Sequence, residues 1–224
     1  MGKLLVNRML KDQGITPSSV QFQTTQQGKP YLVRHFICSW SQLSDQSPQI
    51  LPPEISALAY NITHDNGIIA LAFDTQPGSS IGVDVMKVAV PRNEKFDDFV
   101  EAMEDQLTSY ELGLLKDVDE AERLKRFFWM WTLKEAYTKA LGIGLGFDFK
   151  RVEFRVPTKQ VYVDGVPLKS WIFNMVTIDV AGENYQLVVA EHKVDGETRI
   201  VEHTSSPDWL SCFAANTIAQ DALL

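Results

Sequence analysis

Apolar and polar positions divide the chain into stretches of different period. Leu4, Leu5 and Met9 fall on one side of a helix over residues 1–14 that closes near Gly14. Residues 18–37 read as strand, turn, strand, with Gly28-Lys29-Pro30 as the turn. Ser, Gln and Pro then crowd residues 38–58, the composition of a long surface loop. NITHDNG from Asn61 reads as a turn, and the run IIALAF after it as a buried strand. Pro77-Gly78-Ser79-Ser80 is another turn, and Ile81-Gly82-Val83-Asp84-Val85 a strand with an acid in its middle.

Helices are predicted next, over 93–106, 108–116 and 119–141. Thr108 with Glu111 has capping-box spacing, and Asp119 with Glu122 repeats the signal. Gly142, Gly144 and Gly146 end the long helix. Strand signals return at 152–156, 161–163, 171–180 and 185–192, with Val163-Asp164-Gly165 as a hairpin turn. Residues 204–224 read as a loosely held tail. The sum is α+β with mostly antiparallel strands, without solenoid repeats or low-complexity tracts.

A chain of 224 residues fits one domain or two small packed halves, and 45% apolar content supports a core. The net charge of −8 excludes bulk electrostatic binding of nucleic acid or an anionic membrane. An anionic ligand would need a local basic cluster. The opening MGKLLVNRML lacks the apolar run of a signal peptide or a span. Cys38 and Cys212 are too few for a disulfide scaffold and lack zinc spacing; they read as free thiols in a reducing cytosol, so the expected setting is cytoplasmic.

Two acids do not suit their neighbourhoods. Asp84 lies between Val83 and Val85, where an acid is costly if buried and unremarkable if it faces solvent at a strand end. Glu135 lies on the same side of the long helix as Leu124, Phe128 and Trp131, with Lys139 one turn further and Lys125 and Thr132 beside them. Most other directions of that helix are apolar, so these residues form a narrow polar wedge. Glu135 and Lys139 also suit an ordinary i, i+4 pair on a wet face. A strand Asp and a helix Glu brought together would repel unless a cation or proton intervened. The hard oxygen donors suit magnesium, completed by phosphate oxygens, and Lys139 would meet a phosphate as a point charge. The residues thus suggest metal-assisted handling of a diphosphate-bearing ligand.

IGVDVM at 81–86 and WTLKEAYTKALGIGLGF at 131–147 resemble the signature pair of the 4'-phosphopantetheinyl transferases, (I/V)G(I/V)D followed by WxxKEAxxK. Gly82, Asp84, Trp131, Lys134, Glu135, Ala136 and Lys139 match, in order and at the family's separation. Gly28-Lys29-Pro30 resembles the family's GKP turn, and Asn61-Ile62-Thr63-His64 its NISH block. The resemblance runs from about residue 1 to 192 and is nearest the Sfp-type, aminoadipate-semialdehyde-dehydrogenase-activating branch.

The resemblance implies a pseudo-twofold pair of similar α/β halves with the active site between them: 1–80, 81–203 carrying the metal, and a tail at 204–224. It implies transfer of the 4'-phosphopantetheine arm of coenzyme A to a serine of an acyl or peptidyl carrier domain, in the manner of a holo-acyl-carrier-protein synthase. Adenosine 3',5'-bisphosphate leaves. Carriers of fatty-acid or lysine biosynthesis are among the partners it implies; the chain itself would be a monomer. By motif match Asp84 and Glu135 would hold magnesium, with Glu135 as base and Lys139 on the diphosphate. Lys29 and His64 would meet the adenosine 3'-phosphate, within a coenzyme site that also takes in Gly28, Pro30, Asn61 and Thr63. Lys134 would support charge in the same cleft, and the basic stretch from Arg123 through Lys125 and Arg126 to Lys150 and Arg151 would supply a positive field.

The pattern departs at Met86, where many members carry a third acid; water or Asp65 would take its place. It departs also at the start, because members usually carry several dozen residues before the first helix. A catalytically impaired fold-mate that binds coenzyme A or carriers is the alternative, and a generic diphosphate hydrolase a third reading.

Overall fold

The computed structural model describes residues 1–34, 58–91 and 94–221. The loop expected over 38–58 lies outside these residues except for Leu58, as does Cys38; Cys212 is exposed and free.

Helix α1 (Gly2–Asp12) buries Val6, Met9 and Leu10, the i, i+3, i+4 spacing of a single apolar stripe. Strands β1 (Val20–Thr24) and β2 (Pro30–Arg34) form the expected hairpin around Gly28. Strands β3 (Ala59–Asp65) and β4 (Ile68–Asp74) form a second, closed by Asn66 and Gly67 at φ 40° and 87°. Two positive φ values suit a right-twisted two-residue hairpin, and Asn-Gly adopts them readily. Only the end of NITHDNG is a turn; Asn61 to His64 are strand. The polar run misleads because its side chains serve the neighbouring strand rather than water.

That neighbour is β5 (Ser80–Lys87). It lies at the edge of a four-stranded sheet with β9 (Lys169–Val180), β10 (Glu183–Glu197) and β11 (Arg199–His203), in the order β11-β9-β10-β5. A small antiparallel meander, β6 (Val152–Arg155), β7 (Gln160–Val163) and β8 (Val166–Pro167), stands beside it. Helices α2 (Phe96–Ala102) and α3 (Ser109–Leu114) lead to α4 (Glu120–Leu141), which packs on β5 and β10. Thr108 and Glu111 make the predicted capping box, and Gly142 ends α4 at φ 69°.

The main core joins Phe127, Phe128, Trp129 and Leu133 of α4 to Phe173 and Val188 of the sheet. A separate cluster joins α1 to Leu58, Tyr60 and Leu71. Each of these clusters seats a helix on strands. Besides β3 and the two-residue β8, β11 and a C-terminal helix escaped prediction. β11 pairs parallel to β9 with a mostly exposed pattern that carries little hydrophobic signal. Helix α5 (Ala215–Asp221) turns the supposed tail back against α1, burying Ile218. No helix among the described residues is long and apolar enough to cross a membrane.

Gly82 sets the helix–sheet approach. A Cβ there would lie 2.1 Å from the Ala136 carbonyl oxygen and 2.4 Å from the Ala140 nitrogen. Backbone contact at that distance admits only glycine. It brings α4 down onto β5 two residues before Asp84.

Candidate active site

The outer edge of β5 is completed by side chains of β3. Asn61 Oδ1 accepts from the Val83 N–H at 2.9 Å, and Asp65 Oδ2 from the Lys87 N–H at 2.7 Å. Between them, the Thr63 hydroxyl donates to Asp84 Oδ1 at 2.9 Å. The period of two along β3 thus delivers three polar groups to one strand edge.

Asp84 is buried, and Lys139 Nζ donates to its Oδ1 at 2.6 Å and to Thr63 Oγ1 at 3.1 Å. Its Oδ2 is buried with no hydrogen-bond partner among the described residues. Burial pushes the Asp84 carboxyl above the usual aspartate range, against the pull of Lys139, Thr63 and the Val85 N–H. Glu135 projects from α4 into the same neighbourhood, half-buried. Burial raises its carboxyl first, and the Asp84 charge raises it further, with Lys139 opposing. Each observation marks a site short of positive charge. A desolvated carboxylate with one oxygen unpartnered among the described residues, its charge felt by a second acid, fits a hard divalent cation. Among the described residues no three His, Cys, Asp or Glu side chains cluster as metal ligands, so those residues offer two acids here and no third.

Lys29 reaches this region from the β1–β2 turn. Its ammonium donates to the Ala140 carbonyl at 2.6 Å and the Ile81 carbonyl at 3.3 Å, tying the turn to the end of α4 and the start of β5. Burial lowers its pKa. Its stem runs beside Gly142, where a Cβ would stand 3.1 Å from it. Gly28, at φ 85°, and Pro30, at the start of β2, shape the turn that presents it. His64 alternates with Thr63 on β3 and is exposed.

Three expectations are corrected. Lys134 does not face the cleft. It is fully buried on another side of α4, and its ammonium donates to Glu111 Oε2 at 2.6 Å, the Gln106 carbonyl at 2.9 Å and the Phe149 carbonyl at 3.0 Å. All three of its N–H groups are taken, and at 100° per residue it points away from Lys139. Asp65 bonds the Lys87 N–H and the Asn66 side chain of its own turn rather than standing as a third acid beside Asp84. Lys125 is exposed near Glu202, outside the wedge, and the basic stretch is matched by acids: Arg123 with Asp97, Arg126 with Glu122, Lys150 with Asp105, Arg151 with Asp164. Charges on a wet surface gather counter-charges, which a one-dimensional count of Lys and Arg does not register.

The structure therefore brings together Thr63, Asp84, Glu135 and Lys139, with Asn61 as a brace and Lys29 at the helix end. Sequence reasoning named Glu111 only as a cap and missed its burial. It also missed Gln186, a buried amide whose signal was a polar residue inside YQLVVA.

The sequence profile of the 4'-phosphopantetheinyl transferase superfamily matches residues 80–190. A 4'-phosphopantetheinyl transferase pptA of Paxillus involutus is 40% identical over 199 residues, covering 85% of this chain and 69% of its own. The human L-aminoadipate-semialdehyde dehydrogenase-phosphopantetheinyl transferase is 29% identical over 208 residues, 87% of this chain and 61% of its own length. The Bacillus subtilis 4'-phosphopantetheinyl transferase Sfp is 23% identical over 210 residues, covering 93% of this chain and 74% of its own. The chain thus spans between three-fifths and three-quarters of the relatives it matches.

Proposed function

The chain belongs to the 4'-phosphopantetheinyl transferase superfamily, and from that premise we propose that it moves the 4'-phosphopantetheine arm of coenzyme A onto a serine of an acyl or peptidyl carrier domain. The observation that carries the reading is Asp84, one oxygen of which has no partner among the described residues, close enough to Glu135 to push its carboxyl up. Asp84 and Glu135 would hold magnesium, which when bound offsets the negative charge of the diphosphate. Gly82 fixes the spacing, because it sets how closely α4 approaches β5.

The chain's own residues divide the remaining work. The serine oxygen forms a bond to the β-phosphorus of coenzyme A. The bond from that phosphorus to the bridging oxygen breaks, and adenosine 3',5'-bisphosphate departs with the electron pair. Glu135, half-buried near Asp84 and Lys139, takes the serine proton directly or through a water. Lys139, anchored on Asp84 and Thr63, presents a positive charge to the departing phosphate. Lys29 and the exposed His64 are assigned to the adenosine 3'-phosphate, with Gly28 and Pro30 holding the turn. Lys134 has no part in it. We assign the chain to the cytoplasm as a monomer acting on carriers of the fatty-acid or aminoadipate type.

The test is an incubation with a carrier domain, coenzyme A and magnesium, followed by mass spectrometry. The carrier is expected to gain the phosphopantetheine arm, and Glu135→Gln to slow this by about 10²–10⁴-fold while coenzyme A still binds. Coenzyme A cleavage without a modified carrier would indicate a hydrolase. Binding without any turnover would indicate a fold-mate that has lost the reaction.

A further inference from the structure

Among the described residues, five buried side-chain polar atoms have no hydrogen-bond partner. Three of them, Asp84 Oδ2, Thr132 Oγ1 and Gln186 Oε1, share the seam between α4 and the β5–β10 pair. Trp129 instead lines a small cavity with Lys125 and Lys159, and Arg123 pairs with Asp97 near the start of α2.

Register places the three together. Gln186 is the cross-strand partner of Met86, and Val188 that of Asp84, so Asp84, Met86 and Gln186 point to one face of the sheet. That face meets α4. Gly82 touches Ala136 and Ala140, and the Gln186 amide donates to the Lys125 carbonyl at 3.1 Å. β5 therefore runs antiparallel to the helix. From Gly82 to Asp84 the strand advances roughly 7 Å, which equals about four helical residues. The contact accordingly moves from Ala136 and Ala140 back to Thr132, one turn earlier and fully buried. Register and helix rise thus set Thr132 at the level of Asp84 and Gln186 along the seam.

The chemistry of the triangle is specific. It offers one hydroxyl donor and two acceptors, and Met86 contributes no oxygen to it. A single water accepting from Thr132 and donating to Asp84 Oδ2 and Gln186 Oε1 satisfies all three atoms. We propose that Thr132 and Gln186 are positioning residues that, through one buried water, hold the free oxygen of Asp84 in place for the divalent cation. They do for Asp84 what a neighbouring acid would otherwise do. The inference rests on the reading of Asp84 as a metal ligand, and it concerns side chains that touch neither coenzyme A nor the carrier serine.

The test measures Mn²⁺ affinity of the full chain by calorimetry, with melting temperature recorded in parallel. Thr132→Val and Gln186→Met each weaken Mn²⁺ about tenfold, the usual scale for groups that orient a metal ligand, and Thr132→Ser stays within about twofold of the unaltered chain. Affinity unchanged in Thr132→Val and Gln186→Met, with Asp84→Asn impaired, overturns the inference and leaves the metal reading standing. Unchanged affinity in Asp84→Asn removes the metal reading itself and the inference with it. Where a variant fails to fold, a high-resolution crystal structure of the unaltered chain decides. A water bonded to all three atoms supports the inference; a dry seam, or a direct bond between Thr132 and Gln186, overturns it.

Discussion

Two lysine–carboxylate pairs flank α4, and they have opposite characters. Lys134 and Glu111 are both sealed from solvent. Every donor of the lysine is used, and Glu111 also accepts from the Thr108 and Phe154 N–H groups at 2.8 Å and 2.9 Å. Lys139 and Asp84 make an ion pair of the same 2.6 Å length, yet the lysine is partly exposed, one aspartate oxygen has no partner among the described residues, and Glu135 stands close enough to feel the charge. A buried charge pair that is fully bonded is scaffold; one left short of positive charge is poised for a ligand. The same motif, WxxKEAxxK, supplies both lysines, so the sequence pattern alone does not separate the roles.

The sharpest test of this contrast removes the two lysines in turn. Lys134→Met strands the Glu111 carboxylate among groups that bond its charged form, and should cost about 3–5 kcal/mol of stability in urea denaturation. Lys139→Met should cost clearly less, because Asp84, already pushed up by burial, can take a proton, while carrier modification falls steeply. Equal losses of stability would erase the distinction. Gly82→Ala probes the frame that the site depends on. Its Cβ would collide with helix backbone, and a loss of about 3 kcal/mol together with carrier modification is expected. Retained activity in a stable Gly82→Ala chain would show that the α4–β5 spacing is not critical.

The smallest effect concerns Glu135 and pH. Its pKa is higher in the folded chain than in the unfolded one, so the folded state keeps a proton that the unfolded state releases as pH rises through the interval between the two. Stability contributed by this group is present below the ordinary glutamate range and is lost above it. Glu135→Gln removes that loss. At neutral pH without metal the variant should melt about 2 °C above the unaltered chain, and the advantage should vanish in acid. An unchanged or lower melting point at neutral pH would mean that Glu135 carries no such strain.

Much of the site was legible because its chemistry requires particular residues at particular spacings. Asp84 inside β-branched neighbours and Glu135 with Lys139 on one helical stripe were visible as polar positions that local rules disfavour. Lys134 was misread because adjacent positions on a helix diverge by 100°, and which direction is cleft depends on what packs there. Asn61 to His64 looked like a turn since polar side chains bonded to a strand edge resemble polar side chains in water. β11 and α5 carry too few apolar residues to announce themselves, and a parallel edge strand draws its order from β9. Gln186 was passed over as one polar residue in an apolar strand, and only register brings it beside Met86.

On the function proposed above, Asp84 and Glu135 jointly hold one divalent cation. Calorimetric titration of magnesium into the chain with coenzyme A present measures this directly. One ion should bind per chain, and binding should fail in the Asp84→Asn/Glu135→Gln double variant, which lacks both carboxylates. One ion bound with the same affinity by that double variant would contradict the account.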